Sequence, residues 1–236
     1  MDSSRRTAFI VGVLFIITFI TAIAGRLLYG PVLDDPNYIV SAGADTQIAF
    51  GALFELLLII ANVGTALWLF PILKRQHEAL SLSYVAARVV ENTFIAIGIV
   101  SLLAILTLRQ EGADAGALVP VGESLVAMNN WTFLLGPGFV VGIGNGLILG
   151  YLMFRSGLVP RGMAMLGLIG GPLATASGIA VLLGVIEQGS AAQGIATIPE
   201  ILWEASLGLY LTFKGFRPSP ILAGDIGAAG AASPRR

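Results

Sequence analysis

Ionisable and amide side chains occur inside long apolar stretches of this chain, where a purely structural segment would carry none. In the stretch 84–108, the run Arg88-Val-Val-Glu91-Asn92 places a cation, a carboxylate and a carboxamide three and four residues apart. Residues at these spacings share one face of a helix. Because ionisable groups at membrane depth point into a helix bundle or a wet cavity, this polar edge marks a candidate functional site.

Two other apolar stretches carry pairs of polar residues. Glu55 and Asn62 are seven residues apart, and Glu200 and Glu204 are four apart, so each pair lies on one helix face. If the helices that carry Glu55, Glu91 and Glu204 are neighbours, their three carboxyl groups line one cavity at different depths.

Glu55 and Glu204 are the predicted catalytic or proton-handling residues. Neither has a cation close in sequence, and an unpaired carboxylate in a low dielectric is expected to take up a proton. Such an acid can serve as a proton relay in a transporter or as a general acid in an enzyme. The predicted ligand-binding residues are Glu91, Arg88, Asn92, Asn62, Glu200, Asn145 and Trp203.

Two of these assignments have structural alternatives. Arg88 and Glu91 can instead clamp helices together near the cytoplasmic interface, with the Arg88 side chain extending toward the headgroups. Glu200 directly follows Pro199, and a carboxylate at the start of a helix interacts favourably with the helix dipole. We therefore expect Glu200 to cap its helix.

The elements that carry these residues are predicted to be membrane-spanning helices. Of 236 residues, 56% are hydrophobic and 11% charged, with a mean hydropathy of +0.87, whereas about a quarter of a soluble domain is charged. A span needs about 20 apolar residues, and six segments qualify: 7–29, 46–70, 84–108, 130–154, 162–186 and 197–216. The prediction is an all-α, polytopic integral membrane protein with one domain, 1–216, and a flexible cytoplasmic tail, 217–236.

The first segment has a competing interpretation as a secretory signal. Arg5-Arg6, an apolar run and Ala22-Ile23-Ala24 imitate such a signal with its cleavage site. The apolar run is longer than a usual signal core and continues to Leu28. We therefore predict a retained helix.

Cations predict the orientation, because short cytoplasmic loops carry an excess of Lys and Arg. With six alternating helices, only Arg26 and Arg109 fall on the acidic side. Both termini are therefore predicted to be cytoplasmic, in a multi-pass protein of the plasma (inner) membrane. The opposite side collects the remaining cations used for this prediction: Arg5, Arg6, Lys74, Arg75, Arg155, Arg161, Lys214, Arg217, Arg235 and Arg236.

Small residues predict which helices pack most closely, because lipid gives large apolar side chains no reason to prefer protein. Gly142, Gly146 and Gly150 recur every four residues on the fourth segment. The fifth segment carries a similar series that includes Gly167 and Gly171. We expect these two helices to pack together, with kinks where Gly136-Pro137-Gly138 and Pro172 occur.

Composition also excludes several functions. The chain has no cysteine and a single histidine, so no cysteine-ligated or multi-histidine metal site is expected within it. His77 lies beside Lys74, Arg75 and Glu78 and is predicted to be solvated. The net charge of −1, without a broad basic surface, argues against a nucleic-acid partner. No metal or cofactor is predicted; the expected partners are membrane lipid and an apolar or amphipathic small molecule, with any protein partner unspecified.

Five stretches together resemble a known family. Gly51-Ala-Leu-Phe-Glu55, Pro71-Ile-Leu-Lys-Arg75, Tyr84 to Glu91, Ser156 to Arg161 and Pro199 to Phe216 are similar in order and spacing to the family catalogued as domain of unknown function 4386. The resemblance covers roughly residues 8–216. It implies a bacterial membrane protein with about six helices and draws attention to Glu55, Arg88, Glu91, Glu200 and Glu204, but it implies no activity.

Three functions remain open. The first is a small carrier or binding protein for an apolar or amphipathic ligand, with proton coupling through intramembrane acids. The second is a terpene-cyclase-like membrane enzyme in which a buried Glu protonates an isoprenoid or lipid substrate. Trp68, Trp131, Trp203 and Tyr210 would then stabilise cations, or would instead anchor helix ends at the interface. The third is a structural or regulatory membrane subunit.

Overall fold

A computed structural model describes residues 3–41, 43–111 and 115–222, and over these residues the chain is helical without a strand. The predicted all-α fold is thus confirmed. The main helices are α1 (Ser3–Leu28), α2 (Gly30–Asp34), α3 (Asp45–Glu111), α4 (Ala115–Phe133), α5 (Gly150–Ser156), α6 (Arg161–Leu182) and α7 (Ala191–Phe213). Short 3₁₀ turns occur at Tyr38–Val40 and Pro220–Leu222, and π-helical turns at Leu134–Val140 and Gly142–Leu149.

Within the described part of the chain, four helical stretches are long and apolar enough to cross a membrane: Ser3–Leu28, Asp45–Gln110, Gly116–Ser156 and Arg161–Leu182. The second has 66 residues, which at 1.5 Å per residue is about 100 Å of helix, far more than one crossing needs. α7 is not among the four, yet Ile195, Ile198 and Leu202 expose 68%, 48% and 51% of their surface along it. The chain is therefore a helical membrane protein.

α3 consists of two arms, 45–76 and 78–111, that meet at His77. His77 has a non-helical backbone (φ −159°, ψ 99°), and its Nδ1 accepts a hydrogen bond of 3.2 Å from the Leu80 amide. This side chain satisfies a free N–H at the start of the second arm. The sequence predicts two helices joined by a loop over 71–83, and the structure instead turns at a single exposed residue.

The fourth predicted segment is longer than expected and is wound differently. α4, the two π-helical turns and α5 form one continuous stretch, and its apolar part, Gly116–Ser156, has 41 residues. The helix does not break at Gly136-Pro137-Gly138. It accommodates Pro137, which lacks an N–H, within π-helical winding, and such winding is frequent at functional sites.

α1 packs against α3 and α7. Ala8, Val11 and Phe15 are fully buried in the same apolar cluster as Leu207 and Leu211 of α7. This packing places the face of α1 that follows Phe15 toward the middle of the protein.

The glycine series form the expected seam between the fourth and fifth predicted segments. A Cβ placed on Gly142 would lie 2.6 Å from the Gly171 carbonyl oxygen, and one on Gly150 would lie 3.2 Å from the Leu168 nitrogen. On its other side, α6 approaches α7, because a Cβ on Gly170 would lie 2.7 Å from the Glu200 Cα. The predicted close packing is confirmed, and it extends to α7.

A polar clamp joins the 3₁₀ turn at Tyr38–Val40 to both ends of α3. The Tyr38 hydroxyl donates to Asp45 Oδ1 at 3.0 Å, and Arg109 Nε lies 3.0 Å from the same oxygen. Arg109 also donates to the Tyr38 carbonyl oxygen. Burial, together with the hydrogen bond to Asp45, raises the pKa of Tyr38 to about 12.

The predicted flexible tail, 217–236, begins with a segment, 217–222, that contacts the rest of the protein. The Arg217 amide donates to the Leu158 carbonyl oxygen at 2.8 Å, the Ser219 hydroxyl donates to the Ser156 carbonyl oxygen at 2.6 Å, and Leu222 is buried. The packed chain therefore extends beyond residue 216. Residues 223–236 lie outside the part of the chain that the structure describes.

Candidate functional site

A cavity of about 650 Å³ lies among α1, both arms of α3, the stretch that includes α4 and its π-helical turns, and α7. Apolar side chains such as Phe19, Leu58, Ile95 and Leu134 form much of its wall. Its charged lining residues are Arg26, Glu55, Arg88, Glu91, Glu200 and Glu204. Glu55, Glu91 and Glu204 line this one cavity, although α3 and α7 make few direct contacts and face each other across it.

Arg88 is the centre of the charged cluster. Its Nη1 donates to Glu91 Oε2 at 2.7 Å, and its Nη2 lies 3.7 Å from Glu204 Oε1 on α7. The guanidinium carbon lies 5.7 Å from the centre of the Phe15 ring and 5.8 Å from that of Tyr84. With 3% of its surface exposed, Arg88 is a desolvated cation held by two carboxylates and two aromatic rings.

Asn62 connects the two arms of α3 at this cluster. Its Nδ2 donates to Glu91 Oε1 and to Asn92 Oδ1, each at 3.2 Å, while Asn92 Nδ2 donates to the Arg88 carbonyl oxygen at 2.7 Å. All of these side chains are buried. The single-residue turn at His77 brings Asn62 opposite Glu91, so this network joins the arms of one helical hairpin. Arg88 is buried within it and does not extend toward the headgroups as the clamp alternative expected.

Glu204 is held from two sides. Asn145 Nδ2 donates to Glu204 Oε1, and Arg88 approaches the same oxygen. The neighbouring Trp203 is fully buried, and its indole N–H donates to the Asn145 carbonyl oxygen at 3.0 Å. Glu204 has no cation close in sequence, but it is not the unpaired carboxyl group that the sequence indicated, because Arg88 reaches it from another helix.

Glu200 is buried without a hydrogen-bond donor. Only 3% of its surface is exposed, and neither carboxyl oxygen has a partner. A Cβ on Gly146 would lie 2.5 Å from Glu200 Oε2, so the carboxyl group occupies a recess that glycine leaves open. The expected capping role is wrong, because α7 begins at Ala191 with Ser190 as its cap and Glu200 lies within the helix.

Glu55 occupies another part of the cavity wall. Its Oε2 accepts a hydrogen bond of 3.0 Å from the Tyr29 hydroxyl. Arg26 also lines the cavity, with its guanidinium carbon 5.4 Å from the centre of the Phe133 ring. Glu55 thus faces the cavity with a phenol as its direct partner.

Three predicted ligand-binding residues lie behind the cavity wall. Asn92, Asn145 and Trp203 are not among the lining residues, and they support Arg88 and Glu204 instead. Trp68 and Trp131 expose 42% and 45% of their surface and also lie outside the lining. Their exposure agrees with the interfacial alternative for these two aromatic residues.

Sequence analysis missed Arg26 and Tyr29 as site residues. Arg26 was predicted only as a cation at the acidic end of the first span, 7–29, although Thr18, Ala22 and Arg26 recur every four residues and therefore share one helix face. That spacing could have predicted the position of Arg26 on the cavity wall. Tyr29 had no comparable signal, because its contact with Glu55 depends on how α1 crosses α3.

The fold and cavity define a polytopic helical membrane protein with an enclosed charged cluster. A family model described as a domain of unknown function (DUF4386) matches residues 10–215. The chain belongs to this family, which confirms the resemblance noted from its five stretches. No curated protein and no solved structure matches the chain.

Proposed function

We propose that this protein is a small membrane carrier or binding protein for an amphipathic ligand. The observation that supports the proposal is a cavity of about 650 Å³ with a largely apolar wall and a buried charged cluster. Binding pockets for small molecules combine an apolar lining with a few placed polar groups in this way. The apolar part of the ligand occupies the region near Leu58 and Leu134, and its polar part faces the charged residues.

The cavity reaches the protein surface beside the loop between α6 and α7. Gln188 and Gly189 are exposed and belong to its lining, as do Gln193, Thr197 and Glu204 farther along α7. At 1.5 Å per residue, the distance from Gln193 to Glu204 is about 16 Å along the helix. The proposed ligand enters at this rim and moves inward along α7.

The proposal includes coupling of ligand binding to proton movement. Glu55, Glu91 and Glu204 line the cavity at separate places, and chains of intramembrane carboxyl groups carry protons in many transporters. Glu91 and Glu204 share Arg88, so a change in the protonation of one alters the field at the other. Ligand binding among these groups would therefore release or take up protons.

We further propose that the protein resides in the plasma (inner) membrane with both termini in the cytoplasm. The cations in the turn near His77 and in the 155–161 connection lie on the predicted cytoplasmic side, whereas Glu187 lies on the other side. The cavity rim at Gln188 then opens away from the cytoplasm.

Neighbouring substitutions on α7 test ligand binding. Thr197 lines the cavity, whereas Ile198 exposes 48% of its surface on the outside of the helix. Native mass spectrometry of the purified protein should detect a small molecule bound to the wild type and to Ile198→Trp, but not to Thr197→Trp, because tryptophan fills the cavity. Equal retention by both variants would refute binding in this cavity.

Proton coupling is tested separately in proteoliposomes. The wild type should move protons when its ligand is added, whereas the double variant Glu55→Gln/Glu204→Gln should lose that movement while still binding the ligand. An exposed substitution, Glu78→Gln, is the matched control because Glu78 lies at the turn outside the cavity. Wild-type proton flux from the double variant would remove the coupling claim.

A second candidate function is an enzyme that protonates an isoprenoid or lipid substrate. It is favoured by the lining itself, in which Phe19 and Phe133 share the cavity with Glu55. The Glu55 carboxyl proton would add to an alkene or epoxide, aromatic rings would stabilise the carbocation, and a proton would return to a base as the final double bond forms. Cyclised product from wild-type protein, lost in Glu55→Gln, would support this function; unchanged turnover in Glu55→Gln would exclude it.

A further inference from the structure

The cavity lining contains more carboxyl groups than guanidinium groups. It has four carboxyl groups and two guanidinium groups, namely those of Glu55, Glu91, Glu200, Glu204, Arg26 and Arg88. Arg88 is already engaged, since its Nη1 donates to Glu91 at 2.7 Å. Uncompensated charge in a buried site is costly, so the excess of acids calls for positive charge from protons or from a ligand.

Glu200 is the acid in this lining whose carboxyl group has no hydrogen-bond donor in the structure. Only 3% of its surface is exposed, the residue lines the cavity, and its two carboxyl oxygens are buried and accept no hydrogen bond. Arg88 and Asn145 are bonded to Glu204, one turn farther along α7. Buried polar groups are almost always paired, so an unpaired carboxyl group on a cavity wall points to a donor that a ligand supplies.

A second unpaired acceptor lies beside Glu200. Asn145 is fully buried, and its Oδ1 has no partner because only its Nδ2 is used, in the bond to Glu204. Gly146 follows Asn145, and its missing Cβ leaves the space that Glu200 Oε2 occupies. Asn145 lies behind the cavity wall, so the unpaired acceptors on the wall itself are the two Glu200 oxygens, which suit an N–H donor with a positive charge.

We infer that the ligand is a lipophilic organic cation whose protonated amine binds at Glu200. This inference rests on the proposed function and names the ligand class for the same cavity. The ammonium group donates to the Glu200 carboxylate and is attracted by the remaining acids, while an apolar body lies against Leu134, Val141 and Ile201, which also line the cavity. An anionic amphiphile would instead meet four carboxyl groups and an arginine already bound to two of them.

Three probes with one apolar body and different charges test the inference: adamantyl amine, adamantyl alcohol and adamantyl carboxylate. At neutral pH they are cationic, neutral and anionic. Isothermal titration calorimetry on the detergent-purified full chain measures the affinity for each probe. Binding is counted as specific to the cavity only if Thr197→Trp abolishes it and Ile198→Trp retains it. We expect the amine to bind at least about tenfold more tightly than the carboxylate, given the strength of a charge-assisted hydrogen bond.

A carboxamide substitution then tests the assigned residue. Glu200→Gln keeps the shape of the side chain and removes its charge, so the affinity for the amine should fall about tenfold. The affinity for the alcohol should change by less than about twofold, which also shows that the variant is folded. Glu78→Gln, exposed and outside the cavity, should bind all three probes as the wild type does.

The outcomes separate the two proposals. Equal or tighter binding of the carboxylate would overturn the cationic ligand and leave a binding cavity. A preference for the amine that Glu200→Gln and Glu78→Gln both retain would overturn the assignment to Glu200. If no probe shows binding that depends on Thr197, the proposed function itself fails.

Discussion

Arg88 compensates two carboxylates, that of the buried Glu91 and that of Glu204, whose side chain is 18% exposed. Glu91 and Glu204 come from different helices and approach Arg88 at 2.7 Å and 3.7 Å. Removing one member of a buried ion pair costs far more than the pair contributes, because a charge is left in a low dielectric. At the residue scale, Arg88 is therefore a stabilising group as well as part of the candidate site.

Replacement of Arg88 should be strongly destabilising and partly rescued by a second change. Arg88→Met leaves Glu91 and Glu204 unpaired and should lower the free energy of unfolding by about 3–5 kcal/mol. Arg88→Met/Glu91→Gln removes one of the stranded charges and should recover part of that loss. Thermal unfolding followed by tryptophan fluorescence measures both, and a single variant as stable as the wild type would contradict the clamp.

Asn62 gives a milder test of the same cluster. Asn62→Ala removes two hydrogen bonds, to Glu91 and Asn92, and should destabilise the protein by about 1–3 kcal/mol because buried acceptors lose their donor. Thr93→Ala is the control, since Thr93 is exposed on the same arm as Glu91 and bonds only within its helix. Equal unfolding temperatures for the two variants would argue against a hairpin clamp.

At the element scale, glycine residues allow α6 to pack closely against two neighbouring helical segments. One side of α6 faces Gly142 and the other faces Glu200, and on both sides the two backbones can approach closely. Such close packing is the main source of helix association in a membrane. The recess that receives the Glu200 carboxyl group is a consequence of this packing. The seam therefore positions the candidate site as well as joining the helices.

Two glycine substitutions on α6 should have opposite effects. A Cβ on Gly170 would lie 2.8 Å from the Pro199 carbonyl carbon, whereas one on Gly162 would contact nothing within 4 Å. Gly170→Ala should cost about 1–3 kcal/mol by overpacking, and Gly162→Ala should be neutral or slightly stabilising because alanine favours helix. Thermal unfolding of both variants checks this; matching stabilities would mean that the seam is loose.

The clamp between Tyr38 and α3 predicts a pH dependence. Burial and the Asp45 hydrogen bond raise the pKa of Tyr38 to about 12, above the ordinary tyrosine value of about 10. Because the folded state favours the neutral phenol, the contribution of the clamp is complete below pH of about 10 and is lost as the pH rises toward about 12. The difference between the ultraviolet titration curves of the wild type and Tyr38→Phe measures this ionisation. A midpoint of that difference curve near pH 10 would contradict the clamp.

At the scale of the whole molecule, orientation decides which side the cavity rim faces. The chain contains no cysteine, so a single introduced thiol reports its own location. Glu78 and Glu187 are exposed at opposite predicted sides. In intact cells an impermeant maleimide should label Glu187→Cys but not Glu78→Cys, and permeabilised cells should label both. The reverse pattern would invert the proposed topology.

The sequence by itself determined the helical class, the membrane environment and five of the six charged residues that line the cavity. These features follow from composition and spacing: long apolar stretches form helices that satisfy their own backbone in lipid. Charged residues inside them, such as Glu55 and Glu91, must then face inward. The glycine series likewise predicted a close seam, because small residues at a spacing of four form a flat helix face.

Only the tertiary structure decided how these side chains are paired. Glu204 has no cation near it in sequence, yet Arg88 reaches it from α3, and Tyr29 reaches Glu55 from the end of α1. Helical spacing predicts contacts within three or four residues, whereas these pairs depend on the crossing of helices. Glu200 remained without a partner for the same reason, since the packing of α6, α7 and the π-helical turns brings glycine, and no donor, against its carboxyl group.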